Sequence, residues 1–243
     1  MGLSLEGVSK VYPGGAAALA DIDLDIPSGS SLALVGGSGS GKTTLLKLLN
    51  RIHEPTAGLV RMQGQPAAEV DIFEYRRRFG YVVQRGGLFP HMTVRQNVCL
   101  PGRLQGWSQQ RLAQRTQELL ELVELPEPTY GPRLPHQLSG GQQQRVGIAR
   151  ALFLDPDYLL LDEPLGALDP VTRKQLQLQI GQLAAQKTLV VVTHDMTEAR
   201  VLCRRIAVMH QGRLLQLGTA EELRTNPASE FVHLLFEDQV GGT

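Results

Sequence analysis

The chain has 243 residues, and its 24 lysines and arginines balance its 24 aspartates and glutamates to a formal net charge of +0. A general nucleic-acid binder normally shows a basic surplus on one face, so we expect no nucleic-acid partner. The sequence holds no apolar run long enough for a membrane helix and no signal-peptide pattern at its start, so we expect a protein that neither spans a membrane nor leaves the cytosol unaided.

The N-terminal part shows strand and helix patterns in a clear order. Strict alternation over residues 21–26 predicts a half-buried strand, and the apolar run of residues 31–35 predicts a buried strand. A glycine-rich loop follows, and then residues 43–50 show a helical apolar pattern. Residues 57–63 predict another strand near a sheet edge. The order of strand, glycine loop and helix is the context in which a phosphate-binding loop functions.

That loop, called here the phosphate loop (residues 36–43), has the pattern Gly-x-x-x-x-Gly-Lys-Thr. Its glycines let the backbone wrap a β-phosphate, Lys42 supplies a charge for the β- and γ-phosphates, and the Thr43 hydroxyl is placed for Mg²⁺. The sequence therefore predicts binding of ATP with Mg²⁺. The predicted nucleotide-binding residues here are Gly36, Gly37, Ser38, Gly39, Ser40, Gly41, Lys42, Thr43 and Thr44.

The character of the chain changes from residue 85 to residue 150. Loop glycines and prolines come first, and then Leu112, Leu119, Leu122 and Val123 recur at helical spacing behind a Ser108 cap. We interpret residues 85–150 as a mainly helical subdomain inserted into an α/β core made of residues 1–84 and 151–243. Gln84 stands at the start of this insertion, where its amide can reach both Mg²⁺ and an attacking water.

A second phosphate-holding device occurs inside the helical stretch. It is called here the serine-glycine loop, and it consists of Ser139, Gly140, Gly141 and Gln142. A loop that begins a helix offers free backbone N–H groups and the positive end of the helix dipole, which together form an anion site. Since the phosphate loop already accounts for one nucleotide, this second site needs a phosphate from elsewhere. We therefore expect a homodimer in which each copy closes over the nucleotide of the other.

Two fully apolar segments, residues 158–161 and 188–192, predict buried parallel strands, and polar residues follow each. Asp162 is placed to hold Mg²⁺ and Glu163 to orient and deprotonate the attacking water. His194 is placed to donate a hydrogen bond to the γ-phosphate. Acidic pairs and histidines at strand ends are often ordinary surface residues. The phosphate loop in the same chain favours the catalytic interpretation.

The last third predicts a capped helix from Asp169-Pro170 to about residue 186, a hairpin about Gln211-Gly212, and a further capped helix from Thr219. The predicted fold class is α/β: a P-loop NTPase-type core with a mainly parallel central sheet, an N-terminal antiparallel β part and the inserted helical subdomain.

These motifs, in this order, resemble the ATP-binding cassette family from Leu3 to about Phe236. The resemblance implies that Tyr12 stacks on adenine and that Asp169 crosses the dimer interface and links the two sites. It also implies an ATPase subunit at the cytoplasmic face of a membrane, working as a homodimer with permease subunits. Leu165-Gly166 departs mildly from the common family pattern, without touching a catalytic position.

Three segments, residues 77–94, 130–137 and 226–232, look like the ATPase subunits of glycine betaine, choline and related osmoprotectant importers. This likeness implies uptake of a quaternary amine, with a substrate-binding protein as an indirect partner. Many such subunits carry a C-terminal regulatory pair of domains that the printed sequence lacks, so we expect no regulation by ionic strength through such a pair. The partly apolar loops 86–92 and 130–136 are the predicted docking surface for the permease.

Two other classes of function are compatible with the motifs. One is the ATPase subunit of another transporter, for an amino acid, a metal or an exported substrate. The other is a soluble ATPase of the same family that acts in translation or DNA repair. Translation members usually carry two cassettes, and repair members insert long coiled coils between the two phosphate motifs. Neither feature occurs in this sequence.

Overall fold

The computed structural model describes residues 2–15, 17–84, 87–166, 168–184 and 187–237. The elements follow in chain order as β1 (Gly2–Val11), β2 (Ala17–Pro27), β3 (Ser31–Val35), α1 (Lys42–Leu49), β4 (Ala57–Met62), β5 (Gln65–Pro66), α2 (Ile72–Arg77), β6 (Phe79–Val82), α3 (Val94–Leu104), α4 (Gln109–Leu122), α5 (Glu127–Tyr130), α6 (Gly140–Ala151), β7 (Tyr158–Asp162), α7 (Pro170–Ala184), β8 (Thr188–Val192), α8 (Met196–Leu202), β9 (Arg205–His210), β10 (Arg213–Gly218), α9 (Ala220–Thr225) and α10 (Glu230–Glu237).

The chain divides into two compact units. Unit 1 comprises residues 1–76 with 184–243, and unit 2 comprises residues 77–183. The prediction of a core made of residues 1–84 and 151–243 around a helical subdomain of residues 85–150 stays a prediction.

Unit 1 contains an antiparallel sheet in the order β2-β1-β4-β5. The alternation predicted in β2 is confirmed, because Ile22, Leu24 and Ile26 are buried while the aspartates between them are exposed. A second set of strands has β3 paired in parallel with β8 on one side and with β9 on the other. β9 and β10 form the predicted hairpin, and the Gln211-Gly212 turn has positive φ at both residues.

The buried centre of unit 1 is apolar on both faces of β3 and β8. Leu34 and Val190 have no exposed surface, and all five residues of β8 are buried. Full burial of one such side chain contributes roughly 1.5–3 kcal/mol. Two parallel strands covered on both faces have fixed positions, so the residues that follow their carboxyl ends start from a rigid support.

Unit 2 combines a parallel strand pair, β6 and β7, with a group of helices in which α3, α4 and α6 pack against one another. The rings of Phe79 and Tyr158 stack across the strand pair at 5.0 Å. The cap predicted for α4 is confirmed, since the Ser108 hydroxyl accepts a hydrogen bond from the Arg111 N–H at 3.4 Å. The α/β fold class is thus confirmed. In the part of the chain that the structure describes, no helix is both long enough and apolar enough to cross a membrane.

Candidate nucleotide-binding and catalytic site

The phosphate loop takes its shape from glycines at two tightly packed positions. Gly36 has φ 146°, and a Cβ there would lie 2.0 Å from the Met209 carbonyl oxygen. Gly41 has φ 100°, and a Cβ there would lie 2.6 Å from the Ala18 carbonyl oxygen. Any other side chain would clash with backbone at both positions, so the loop requires glycine on steric grounds as well as conformational ones.

Lys42 lies inside this loop rather than in solvent. Only 8% of its surface is exposed. Its ammonium group donates hydrogen bonds to the carbonyls of Gly36 and Gly37, both at 2.8 Å, and contacts the Ser40 hydroxyl at 3.1 Å. Gly41, at the N-cap of α1, has no side chain to cover the amide groups of the first turn. A positive charge and a helix N-terminus at one loop form an anion site suited to phosphate.

Tyr12, predicted to stack on adenine, lies beside the start of α1. Its hydroxyl is 3.5 Å from the Thr44 hydroxyl. The Lys10 ammonium lies 5.5 Å from the Tyr12 ring centre, and the His53 ring meets it edge-on at 5.5 Å. Burial, with Lys47 and Lys10 nearby, lowers the pKa of His53. Tyr12 therefore belongs to the surroundings of the phosphate loop, while its contact with adenine stays a prediction.

His194 follows β8 on the same side as the phosphate loop. The Thr193 N–H donates to the Leu34 carbonyl at 3.2 Å, which joins the carboxyl end of β8 to that of β3. Gly36 comes two residues after Leu34, and the His194 side chain is exposed. Unit 1 thus gathers the phosphate loop and His194 at one end of a parallel strand pair, as the sequence predicts for strand-end residues.

Unit 2 places Asp162 and Glu163 at the end of β7. Asp162 is 2% exposed. The Gln84 amide donates to a carboxylate oxygen of Glu163 at 2.6 Å, and the Gln144 amide donates to the Glu163 carbonyl at 3.1 Å. Glu163 has a left-handed backbone with φ 47°. Such a conformation in a residue other than glycine costs about 1–3 kcal/mol and is concentrated at functional sites.

Gln144 was missed by sequence reasoning. It is one of three consecutive glutamines in α6, and nothing in that run distinguishes it from its neighbours. Its contact with Glu163 depends on how α6 packs beside the end of β7, which no local pattern encodes. Gln84, by contrast, was predicted to act at the catalytic centre, and the structure brings it to Glu163.

The serine-glycine loop begins α6 through a reciprocal cap. The Ser139 hydroxyl accepts from the Gln142 N–H at 3.2 Å, and the Gln142 side chain accepts from the Ser139 N–H at 3.0 Å. A Cβ at Gly141 would lie 2.6 Å from the Leu168 side chain, so α6 packs closely on the segment before Asp169.

Asp169 caps α7, as predicted. Its carboxylate accepts from the N–H groups of Val171 at 3.1 Å and Thr172 at 3.0 Å. Hydrogen bonds from the side chain and backbone of Thr172 lower the pKa of Asp169.

Of the predicted catalytic and metal-binding residues, the structure groups Gln84, Asp162 and Glu163 in unit 2. Gly86 of the predicted docking loop lies outside the described residues.

The sequence of the chain is similar to those of known proteins. A family profile described as "ABC transporter" matches residues 19–166. The chain is 49% identical over 232 residues to the glycine betaine/carnitine/choline transport ATP-binding protein OpuCA of Bacillus subtilis (strain 168). The aligned residues make up 95% of this chain and 61% of that protein. It is 46% identical to the glycine betaine uptake system ATP-binding protein YehX of Escherichia coli (strain K12), over 94% of this chain and 74% of that protein.

Among solved structures, the chain is similar to the ATP-binding cassette MJ0796 in a dimeric post-hydrolysis state bound to ADP and Pi. The TM-score is 0.84 at 35% sequence identity, over 89% of this chain and 98% of that one. By contrast, the chain spans 61% of the length of OpuCA.

Burial and the neighbouring charge of Asp162 predict a shifted titration for Tyr81 in unit 2. Burial, and then the charge of Asp162, raise the pKa of Tyr81 to about 12. Asp162→Asn should lower this pKa part of the way toward 10.0, because burial remains. Ultraviolet difference titration against Tyr81→Phe isolates this tyrosine. Asp157→Asn, before the other end of β7, is the control and should leave the pKa unchanged.

The same shift has a consequence for stability. The folded pKa of Tyr81 is above its ordinary value of 10.0, so its contribution is complete below that pH and is lost as pH rises to about 12. Wild type should lose stability across this range relative to Tyr81→Phe in urea unfolding. Parallel curves for the two proteins would contradict the assigned surroundings of Tyr81.

Proposed function

This chain belongs to the ABC transporter family, and on that premise we propose that it is the ATP-hydrolysing subunit of an importer for a quaternary-amine osmoprotectant. The names of the Bacillus and Escherichia relatives, which refer to glycine betaine, carnitine and choline, support this substrate class. In this proposal two copies of the chain act at the cytoplasmic face of a membrane, where they drive permease subunits that receive substrate from a binding protein.

One observation carries the proposal of hydrolysis. Glu163 directly follows a buried aspartate, has a left-handed backbone and is held at its carboxylate by Gln84. A carboxylate that is fixed by an amide and follows a strand end is suited to orient a water and accept its proton. Lys42 and the first turn of α1 bind the phosphates in this proposal, Tyr12 stacks on adenine, and His194 donates a hydrogen bond to the γ-phosphate.

The residues proposed to hold Mg²⁺ fit that ion. Asp162 offers a carboxylate, Thr43 a hydroxyl and Gln84 an amide oxygen, and Mg²⁺ prefers such oxygen ligands. When bound, Mg²⁺ would neutralise charge on the phosphate oxygens. Of these residues, Gln84 has its amide nitrogen on Glu163, which leaves its oxygen as the atom for the ion.

The serine-glycine loop supports the proposal of a composite site. Ser139 and Gln142 shape the first turn of α6, a helix of 12 residues. The N-terminus of such a helix is suited to bind an anion. We assign this turn to the γ-phosphate of the nucleotide held by the partner copy, with Asp169 at the contact between copies. The similar cassette of known structure is described as dimeric.

A rigid surface loop supports the proposed permease contact. Asn97 is fully buried, and its side chain bonds to the Phe89 N–H at 2.8 Å and to the carbonyls of Phe89 and Met92 at 3.1 and 3.0 Å. Phe89 nevertheless remains 41% exposed. Asn97 thus holds the loop that presents Phe89 at the surface, and such a fixed loop is suited to pack against a partner.

The neighbouring loop adds to this surface. The N–H groups of Val94 and Arg95 donate to the carbonyls of Arg133 at 2.8 Å and Gly131 at 3.0 Å. The start of α3, which follows the loop that carries Phe89, is therefore joined directly to Gly131 and Arg133 within unit 2. We propose that a cytoplasmic helix of the permease packs on this surface and receives the motion that ATP binding produces.

Replacement of Glu163 tests the general base. Glu163→Gln keeps the shape of the side chain and removes the proton acceptor, so ATP hydrolysis should fall by at least ~10² while ATP binding survives. Glu124→Gln is the matched control, because Glu124 also has a left-handed backbone (φ 56°) and a glutamine partner, Gln179, at 3.3 Å. Near-normal turnover in Glu163→Gln would overturn the assignment.

Mixing of inactive variants tests the composite site. Lys42→Ala removes the phosphate charge of one copy, and Ser139→Arg blocks the loop that completes the partner's site. Each should be inactive alone, and mixing should restore part of the ATPase activity, provided that subunits exchange. Ser108→Arg removes a comparable serine cap from α4 and should stay active. Normal hydrolysis by Ser139→Arg alone would refute the composite site.

A paired measurement tests the docking surface and the substrate class. Phe89→Asp should abolish uptake of radiolabelled glycine betaine or choline by cells with the complete transporter, while the isolated subunit keeps its ATPase activity. Phe73→Asp is the control, because Phe73 is 68% exposed at a site in unit 1 outside the proposed surface. Unchanged uptake in Phe89→Asp would contradict the docking surface, and a wild-type transporter that moves no quaternary amine would contradict the substrate class.

A further inference from the structure

Two buried polar side chains lie close to His194 in the sequence, the hydroxyl of Thr193 before it and the carboxylate of Glu198 after it. The Thr193 hydroxyl donates to a carboxylate oxygen of Glu198 at 2.7 Å. Thr193 is 1% exposed and Glu198 is 4% exposed, whereas His194 between them in sequence is exposed. The histidine is thus exposed, while the Thr193 and Glu198 side chains are buried in the protein.

The hydrogen bonds of this segment close into a ring. The Asp195 N–H donates to the Thr193 hydroxyl oxygen at 3.0 Å, so the backbone turns tightly about His194. The Asp195 carboxylate in turn accepts from the Glu198 N–H at 3.1 Å. Since Glu198 also accepts the Thr193 hydroxyl hydrogen, the ring passes through Thr193, Asp195 and Glu198 and back. His194 is the residue enclosed by the turn.

The ring is fixed to the strand that leads into the phosphate loop. The Thr193 N–H donates to the Leu34 carbonyl at 3.2 Å, and Leu34 pairs with Val192 in the parallel strands. The Thr193 N–H therefore connects the His194 turn to the strand that leads into the phosphate loop. A loss of the Thr193–Glu198 bond would release the turn on its buried side.

Helix capping alone does not account for Glu198. Asp195 already caps α8 by accepting from the N–H groups of Thr197 and Glu198. A buried carboxylate costs several kcal/mol unless hydrogen bonds or an opposite charge compensate it. Glu198 also lies close enough to Cys203 that its charge, after burial, raises the pKa of that thiol. A buried acid at this position needs a reason beyond the cap of a short helix.

We propose that Thr193 and Glu198 are positioning residues that hold His194 in the orientation it needs for the γ-phosphate. This inference rests on the proposed function of His194. The Thr193 hydroxyl fixes the turn by accepting from Asp195, and Glu198 fixes the hydroxyl by accepting its hydrogen. Neither residue touches the nucleotide. Their loss therefore affects turnover through the geometry of His194 and leaves the binding of ATP to the phosphate loop intact.

A double-mutant cycle tests the inference with kcat, KM for ATP and melting temperature as readouts. Thr193→Val keeps the shape and removes the hydroxyl, so kcat should fall about ten-fold or more with little change in KM. In a His194→Ala background the same substitution should cause no further fall in kcat. Thr193→Ser should restore kcat, since it returns the hydroxyl. Glu198→Gln should also retain most activity, because its amide oxygen still accepts that hydrogen bond.

Thr116→Val is the matched control. Thr116 is also 1% exposed, and its hydroxyl donates to the Leu112 carbonyl at 2.7 Å in unit 2. This control should lower the melting temperature as Thr193→Val does, with kcat unchanged. If Thr193→Val does not fold, Glu198→Met, which removes the acceptor at similar volume, takes its place in the cycle.

The outcomes separate the two ideas. If His194→Ala has a strongly reduced but measurable kcat, and Thr193→Val either keeps the wild-type kcat or lowers kcat by the same factor in both backgrounds, the positioning role is wrong and the role of His194 stands. If His194→Ala has normal kcat, the proposed function of His194 is wrong, and the positioning role falls with it. Loss of kcat in Thr193→Val that vanishes in the His194→Ala background supports the inference.

Discussion

The contact between the phosphate loop and the backbone around it is the constraint on which the site depends. Gly36 and Gly41 approach the carbonyls of Met209 and Ala18 so closely that no Cβ fits. This close approach lets the loop fold around the Lys42 ammonium, which is bonded to two loop carbonyls. The charge is thereby placed beside the first turn of α1, so that one anion can contact both the ammonium group and the helix N-terminus.

The two units fix their chemical groups by different means. Unit 1 fixes the phosphate loop through steric exclusion and fixes the His194 turn through a ring of hydrogen bonds, of which the Thr193–Glu198 bond is buried. In unit 2, Glu163 has an unfavourable left-handed backbone conformation. Gln84 holds its carboxylate and Gln144 holds its backbone carbonyl. Strain held in place by specific partners is expected where geometry serves chemistry rather than stability.

Much of this could be predicted from the sequence, because the decisive signals are local. Alternation in β2, apolar runs in β3 and β8, and the glycine pattern of the phosphate loop each lie within a dozen residues. The caps of α4 and α7 are local too, and both are confirmed. The sequence also predicts that Gln84 and Glu163 both act at the catalytic centre, but the bond between them joins residues 79 apart, and no local pattern predicts it.

The rest could not be predicted, because it depends on packing. Gln144 reaches Glu163 only through the placement of α6 beside β7, and the burial of Glu198 follows from the face that α8 turns inward.

A crystal structure with Mg²⁺ and a non-hydrolysable ATP analogue tests most directly the central claim that Lys42 and the phosphate loop hold the phosphates. We expect the Lys42 ammonium to leave the carbonyls of Gly36 and Gly37 for oxygens of the β- and γ-phosphates. If the phosphates of the bound analogue lie away from the loop, and Lys42 is still hydrogen-bonded to the Gly36 and Gly37 carbonyls, this claim is contradicted.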